Sequence, residues 1–209
     1  MNRYRQLIAA AAAAAVAALA ACSTVMPTAQ SGFLSDYMGL ASASDESSAS
    51  RASADHIDPA RVSVDAVTWR VTSSVDISAD ERDALLAQLR SELQRHVQAL
   101  PARPQGRPAV LRAAITRVET VSPALNTLSA LLLIVPLDRG GAAVEIEAVD
   151  PQTGRQIAAL TQGYFAPMSE LKARFSKLAP AEIAVRKAAA DFVPLLQQTP
   201  DAGKKTALR

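Results

Sequence analysis

Residues 7 to 21 are drawn almost wholly from Ala, Leu, Val and Ile, and they end at Cys22, the one cysteine of the chain. Arg3 and Arg5 give this run a short basic start, and the small residues Ala20 and Ala21 close it. A basic start, an apolar middle and small residues at a cleavage point are the parts of a secretory signal. The run is shorter than the ~20 apolar residues of a spanning helix, which argues against an anchor helix, and a lone unpaired cysteine at the cleavage point argues against an ordinary cleaved signal. A single cysteine allows no intramolecular disulfide. A domain exported behind such a signal must therefore be held by its core alone.

The residues Leu19-Ala20-Ala21-Cys22 resemble the lipobox of bacterial lipoproteins. The resemblance implies cleavage between Ala21 and Cys22, lipidation of the Cys22 thiol, and three fatty chains of the palmitate type. One such chain binds a membrane only marginally, and several hold it firmly. Ser23 follows the cysteine, where an Asp would mark retention in the inner membrane in that class. The expected address is the outer membrane, facing the periplasm, with the membrane itself as first partner.

Residues 22–209 would remain after cleavage, enough for one domain plus tails. Apolar residues make up 49% of the chain and aromatics 4%, with the signal inflating the first figure. The net charge is +2, and Arg3 and Arg5 supply all of it. A neutral mature domain is a poor nucleic-acid binder, because that binding runs on phosphate neutralisation. The expected organisation is a signal over 1–21 and a lipid-anchored linker over 22–60 with a docking motif at 31–40. An α+β domain over 61–198 and a disordered basic tail over 199–209 follow.

In the linker, Phe33, Leu34, Tyr37 and Leu40 recur at helical spacing and predict a short turn that docks on the body. Phe33, Leu34 and Tyr37 are thereby candidates either for packing or for contact with a partner. The run Ser31-Gly32-Phe33-Leu34-Ser35-Asp36-Tyr37 behind the lipobox, with Leu125-Asn126 and Asp150-x-x-x-Gly154, resembles an uncharacterised family of bacterial lipoproteins. That family is defined by domain of unknown function 3313. The resemblance covers about residues 31 to 198 and carries no known chemistry. Residues 41 to 56 are mostly Ser, Ala and Asp, cannot offset the entropy of ordering, and predict a flexible loop.

From residue 61 the pattern is that of an α+β domain: a mainly antiparallel sheet of about four strands, with a long helix and a C-terminal helix packed on one face. Val62, Val64 and Ala66 alternate with polar residues, and then the phase flips to Val67, Trp69 and Val71. A change of face within one strand predicts a bulge. Ser78-Ala79-Asp80-Glu81 is a capping box that opens a helix reaching about Leu100, before Pro101. Leu85, Leu86, Leu89, Leu93, Val97 and Leu100 make its apolar stripe, and His96 lies on its flank one turn after Glu92. A strand over 109–121 follows, so strand, helix and strand can form one parallel crossover.

The run 125–137, Leu-Asn-Thr-Leu-Ser-Ala-Leu-Leu-Leu-Ile-Val-Pro-Leu, has no clean alternation. It reads as a buried strand or core loop, or else as an exposed apolar patch around Leu131 and Leu132 that meets a partner or the membrane surface. Next, Val144, Ile146 and Ala148 point inward while Glu145 and Glu147 point to a solvated face. Asp150-Pro151-Gln152-Thr153-Gly154 predicts a hairpin loop, and 155–165 returns as the partner strand. A short helix is expected over 169–178, and a longer one opens at Pro180 and ends at Pro194. Lys204, Lys205 and Arg209 could touch anionic headgroups in the tail.

The sequence holds no Gly-x-Ser-x-Gly elbow and no phosphate-binding glycine loop. Its two histidines are His56 and His96. We assign no catalytic residue, no metal site and no cofactor. The first functional reading is a non-catalytic binding or assembly module whose partner is an envelope protein or a second copy of the chain. The alternatives are a periplasmic hydrolase of the cell wall, built around His96 or the Glu145/Glu147 pair, and an accessory subunit of an envelope transport complex.

Overall fold

The computed structural model describes residues 24–51, 56–133 and 139–197. The signal, Cys22, the tail and the end of the apolar run lie outside those residues. In chain order the elements are β1 (Ala41–Ser44), β2 (Ser47–Arg51), β3 (Ile57–Trp69), α1 (Ala79–Gln98), β4 (Arg107–Glu119) and α2 (Pro123–Leu133). Next come β5 (Gly141–Val149), β6 (Gln156–Phe165), a 3-10 segment (Met168–Phe175), α3 (Ala179–Phe192) and a last 3-10 turn (Val193–Leu196).

The sheet has six strands in the order β1-β2-β6-β5-β4-β3. It is mixed: β3 and β4 run parallel, joined through α1 as the crossover pattern predicts, and the other pairs are antiparallel. The expectation of about four strands is thus corrected to six. The two extra strands come from the segment read as a flexible loop. Residues 41–51 form a hairpin on the edge of β6, with Ser47 opposite Gln162 and Arg51 opposite Ala158. Ser and Ala contribute little apolar burial there, and the ladder to β6 supplies the order instead. The β3–β4 register shifts between Val64 and Val67, where the apolar phase flips.

One face of the sheet carries the core. Leu85, Leu89, Leu93 and Val97 of α1 are buried there against Leu111, Ala113 and Ile115 of β4 and Val144, Ile146 and Ala148 of β5. The capping box is formed: Glu81 N donates to Ser78 Oγ, and Ser78 N donates to the Glu81 carboxylate. Helix α3 packs beside α1 through Ala181, Ala184, Ala188 and Phe192. Its small residues let the helix axis approach β5 closely. Trp69 is half-buried and packs against this core.

The 150–154 loop forms as expected. Asp150 Oδ1 accepts from Gln152 N and Thr153 N, Gly154 N donates back to Asp150 O at 2.8 Å, and Gly154 has φ +68°.

Candidate functional site

The second sheet face is not solvated. Glu145 is 1% and Glu147 0% exposed, which corrects the outward, wet assignment of this pair. Their side chains do leave the helix-covered face, but residues 24–37 lie across them. The Ser31–Tyr37 motif supplies the cover. Ser31 donates its amide to Glu145 at 2.9 Å and its hydroxyl at 2.6 Å, and Tyr37 Oη donates to the same carboxylate at 2.7 Å. Ser35 donates its amide to Glu147 at 2.9 Å and its hydroxyl at 2.6 Å. Gln156 Nε2 donates to Glu147 at 2.9 Å, and Arg112 completes the set as its ion-pair partner.

Each donor satisfies a lone pair that burial would otherwise leave costly. Burial alone would push the Glu147 carboxyl up. Bonds from Gln156, Ser35 and Arg112 outweigh it and hold the carboxyl below its ordinary range. The Tyr37 hydroxyl is pushed up, first by burial and then by Glu145. It also accepts from Phe33 N at 3.0 Å and Leu34 N at 3.2 Å, so the motif closes on itself as a turn rather than a helix. Leu34 is buried, and Phe33 and Tyr37 are half-buried. These three candidate partner contacts are therefore engaged with their own fold. With their oxygens committed to serine, tyrosine, glutamine and arginine, Glu145 and Glu147 have no free face for acid/base work.

Helix α2 is the reverse of a normal surface helix, and the reading of 125–137 as a buried strand or core loop is overturned for the residues described. Asn126 and Ser129 are buried, at 0% and 5%, while Leu125, Leu128, Leu131 and Leu132 are 48%, 55%, 80% and 69% exposed. Asn126 Nδ2 donates to the Arg174 carbonyl at 2.6 Å and fixes this orientation. The apolar spacing, 125, 128 and 131–132, is that of one helix face. No side chain in α2 is charged. Four exposed leucines on one face make the kind of patch that marks an interaction surface.

An open groove of about 980 Å³ borders residues 27–31 and the ends of β3 and β4. Arg117 in it pairs with Glu119 at 2.5 Å, and Arg139 stands over the Phe165 ring at 4.6 Å. Its lining includes neither histidine nor cysteine. His96 stays on the α1 flank, 3.8 Å from Glu92, on the helix-covered side of the sheet, whereas the two buried glutamates point to the other side. The structure does not bring the histidine and the carboxylate pair together. His56, at the start of β3, accepts through its carbonyl from Arg107 N at 2.8 Å.

The fold is thus an α+β domain with a mixed six-stranded sheet, helices on one face and a hydrogen-bonded strap on the other. The family model described as Protein of unknown function (DUF3313) matches residues 29–192, and the chain belongs to that family. Among solved structures, the chain is similar to the PelC dodecamer of Paraburkholderia phytofirmans, at TM-score 0.42 and 14% identity, covering 73% of this chain and 97% of that one. A point variant of the same dodecamer gives TM-score 0.42 and 12% identity, covering 73% and 98%. A candidate lipoprotein from Caulobacter crescentus CB15 gives TM-score 0.29 and 14% identity, covering 66% and 92%. Likeness at this level says nothing of partner or assembly. No curated protein matches.

Proposed function

We propose that this chain is a lipid-anchored envelope lipoprotein, held at the outer membrane by Cys22 and facing the periplasm, whose domain works without catalysis as a binding or assembly module. The observation that carries the reading is the inverted helix α2, which hides Asn126 and Ser129 and turns four leucines outward. Burying one leucine is worth roughly 1.5–3 kcal/mol. A fold that leaves four in water at one place forgoes that gain unless something covers them. The hydrolase alternative loses its carboxylates to the strap. Among the described residues no helix is long and apolar enough to cross a membrane.

Cell fractionation tests the anchor. Cys22→Ala should release the protein from membranes and abolish fatty-acid labelling. Retention of both overturns the reading. In-cell crosslinking from position 128, followed by mass spectrometry of protein and lipid adducts, tests the module. Position 128 should give adducts with protein or lipid, and their yield should fall when Leu132 is replaced by Glu; no adduct of either kind overturns the reading.

A further inference from the structure

We infer that the surface covered by α2 is the bilayer that holds the lipid anchor, so that the helix seats the domain on the membrane. The inference rests on the Cys22 anchor and adds to it the face the domain presents. The argument is one of placement.

Helix α2 is inserted between β4 and β5 at the sheet end where Glu119, Gly141 and Phe165 lie in register. The described chain begins at that same end. Phe165 N donates to Thr24 O at 2.8 Å, and Val25 bridges Tyr164. Only Ser23 separates Thr24 from Cys22, and two chain steps span at most ~7 Å. A lipidated Cys22 therefore cannot carry its acyl chains far from this end. Two further bonds tie α2 to the same place: Arg174 Nη2 donates to Ala166 O at 3.3 Å, and the Arg174 carbonyl accepts from Asn126.

The distribution of exposed apolar groups agrees. Among the described residues, the large hydrophobics exposed are Val25, Leu125, Leu128, Leu131, Leu132, Phe175 and Met38. All but Met38 belong to the first described residues, α2 or the 3-10 segment that packs against it. Met38 lies toward the other end, where Asp36 O accepts from Gln156 at the start of β6. A helix of 11 residues is too short to cross a bilayer, and its uncharged leucine face, beside the anchoring residue, suits contact with the membrane surface. It also supplies the second attachment that keeps a tethered domain from swinging freely.

The test uses the lipidated mature chain in vesicles of phosphatidylethanolamine and phosphatidylglycerol. Lipid occupies the Cys22 thiol, so Leu131→Cys provides the sole free thiol for an environment-sensitive dye, and Met38→Cys is the control. Spin-labelled lipid should remove most of the fluorescence at position 131 and leave position 38 unchanged. Equal, weak quenching at both positions in an acylated, vesicle-bound chain overturns the seating while leaving the anchor intact. Dye shielded in cells but unquenched by lipid overturns it in favour of a protein partner. A mature chain that emerges from cells without acyl groups on Cys22 overturns both readings.

Discussion

Ser35 donates its hydroxyl to Glu147 at 2.6 Å across a separation of 112 positions in the chain. This bond ties the segment leading from the anchor to the centre of the sheet, so the strap is part of the domain. Replacing Glu147 by Gln keeps the shape but removes the charge that Ser35, Gln156 and Arg112 serve. The expected cost is about 2 kcal/mol, in the range of hydrogen bonds to charged groups. The folded-state carboxyl is held below its ordinary value, so its contribution is full above the ordinary carboxylate range. It is lost as pH falls through that depressed value. Thermal melts should therefore show wild type and Glu147→Gln far apart at neutral pH and converging in acid.

Tyr37→Phe should loosen the strap without unfolding the sheet. The variant leaves Phe33 N and Leu34 N without their acceptor and removes one donor from Glu145, while Ser31 keeps that carboxylate bonded. A loss of about 1–3 kcal/mol is expected. Amide exchange should accelerate in residues 31–37 first. Because burial and Glu145 raise the hydroxyl above its ordinary value, the tyrosine's contribution is complete at neutral pH. It disappears only as pH rises through that raised value.

The helix-covered face was legible from the sequence because period and capping are local. Leu85 to Val97, the Ser78 box, the flip at Val67 and the Asp150–Gly154 turn each declare themselves within a few residues. The strap was not legible, although its residues were singled out. Alternation at Glu145 and Glu147 says which way they point and nothing of what covers them, and the strap donors Ser31 and Ser35 lie more than 100 positions earlier. In α2 the leucine content favoured burial, while the informative signal was weaker: Asn126 and Ser129 share one face and the leucines the other. The edge hairpin over 41–51 has no apolar stripe to read, since its order comes from backbone pairing to β6.

Two glycines should respond to alanine very differently. Gly154 has φ +68° with nothing near an added Cβ, so the cost of Gly154→Ala is conformational, about 1 kcal/mol. At Gly163 an added Cβ would meet the Met26 carbonyl oxygen at 2.1 Å. That contact is with backbone and forces residues 24–28 off the edge of β6. Limited proteolysis should cut this segment in Gly163→Ala while leaving Gly154→Ala intact, and chemical denaturation should rank the two variants in the same order.

The inversion of α2 predicts a reversed pattern of tolerance. In an ordinary helix, a charge in place of leucine unfolds the protein and alanine in place of asparagine is harmless. Here Leu131→Glu and Leu132→Glu face solvent in the isolated domain, so each should change stability by no more than ~0.5 kcal/mol. Asn126→Ala removes the donor that the Arg174 carbonyl receives at 2.6 Å, inside the packed layer. That change should cost about 1–3 kcal/mol and release α2 from the 3-10 segment beneath it. Denaturant titrations in detergent-free buffer measure the first difference, and hydrogen exchange over 123–132 measures the second. Global unfolding by Leu132→Glu would mean that the leucines are core, and the case for an outward-facing helix would fail with it.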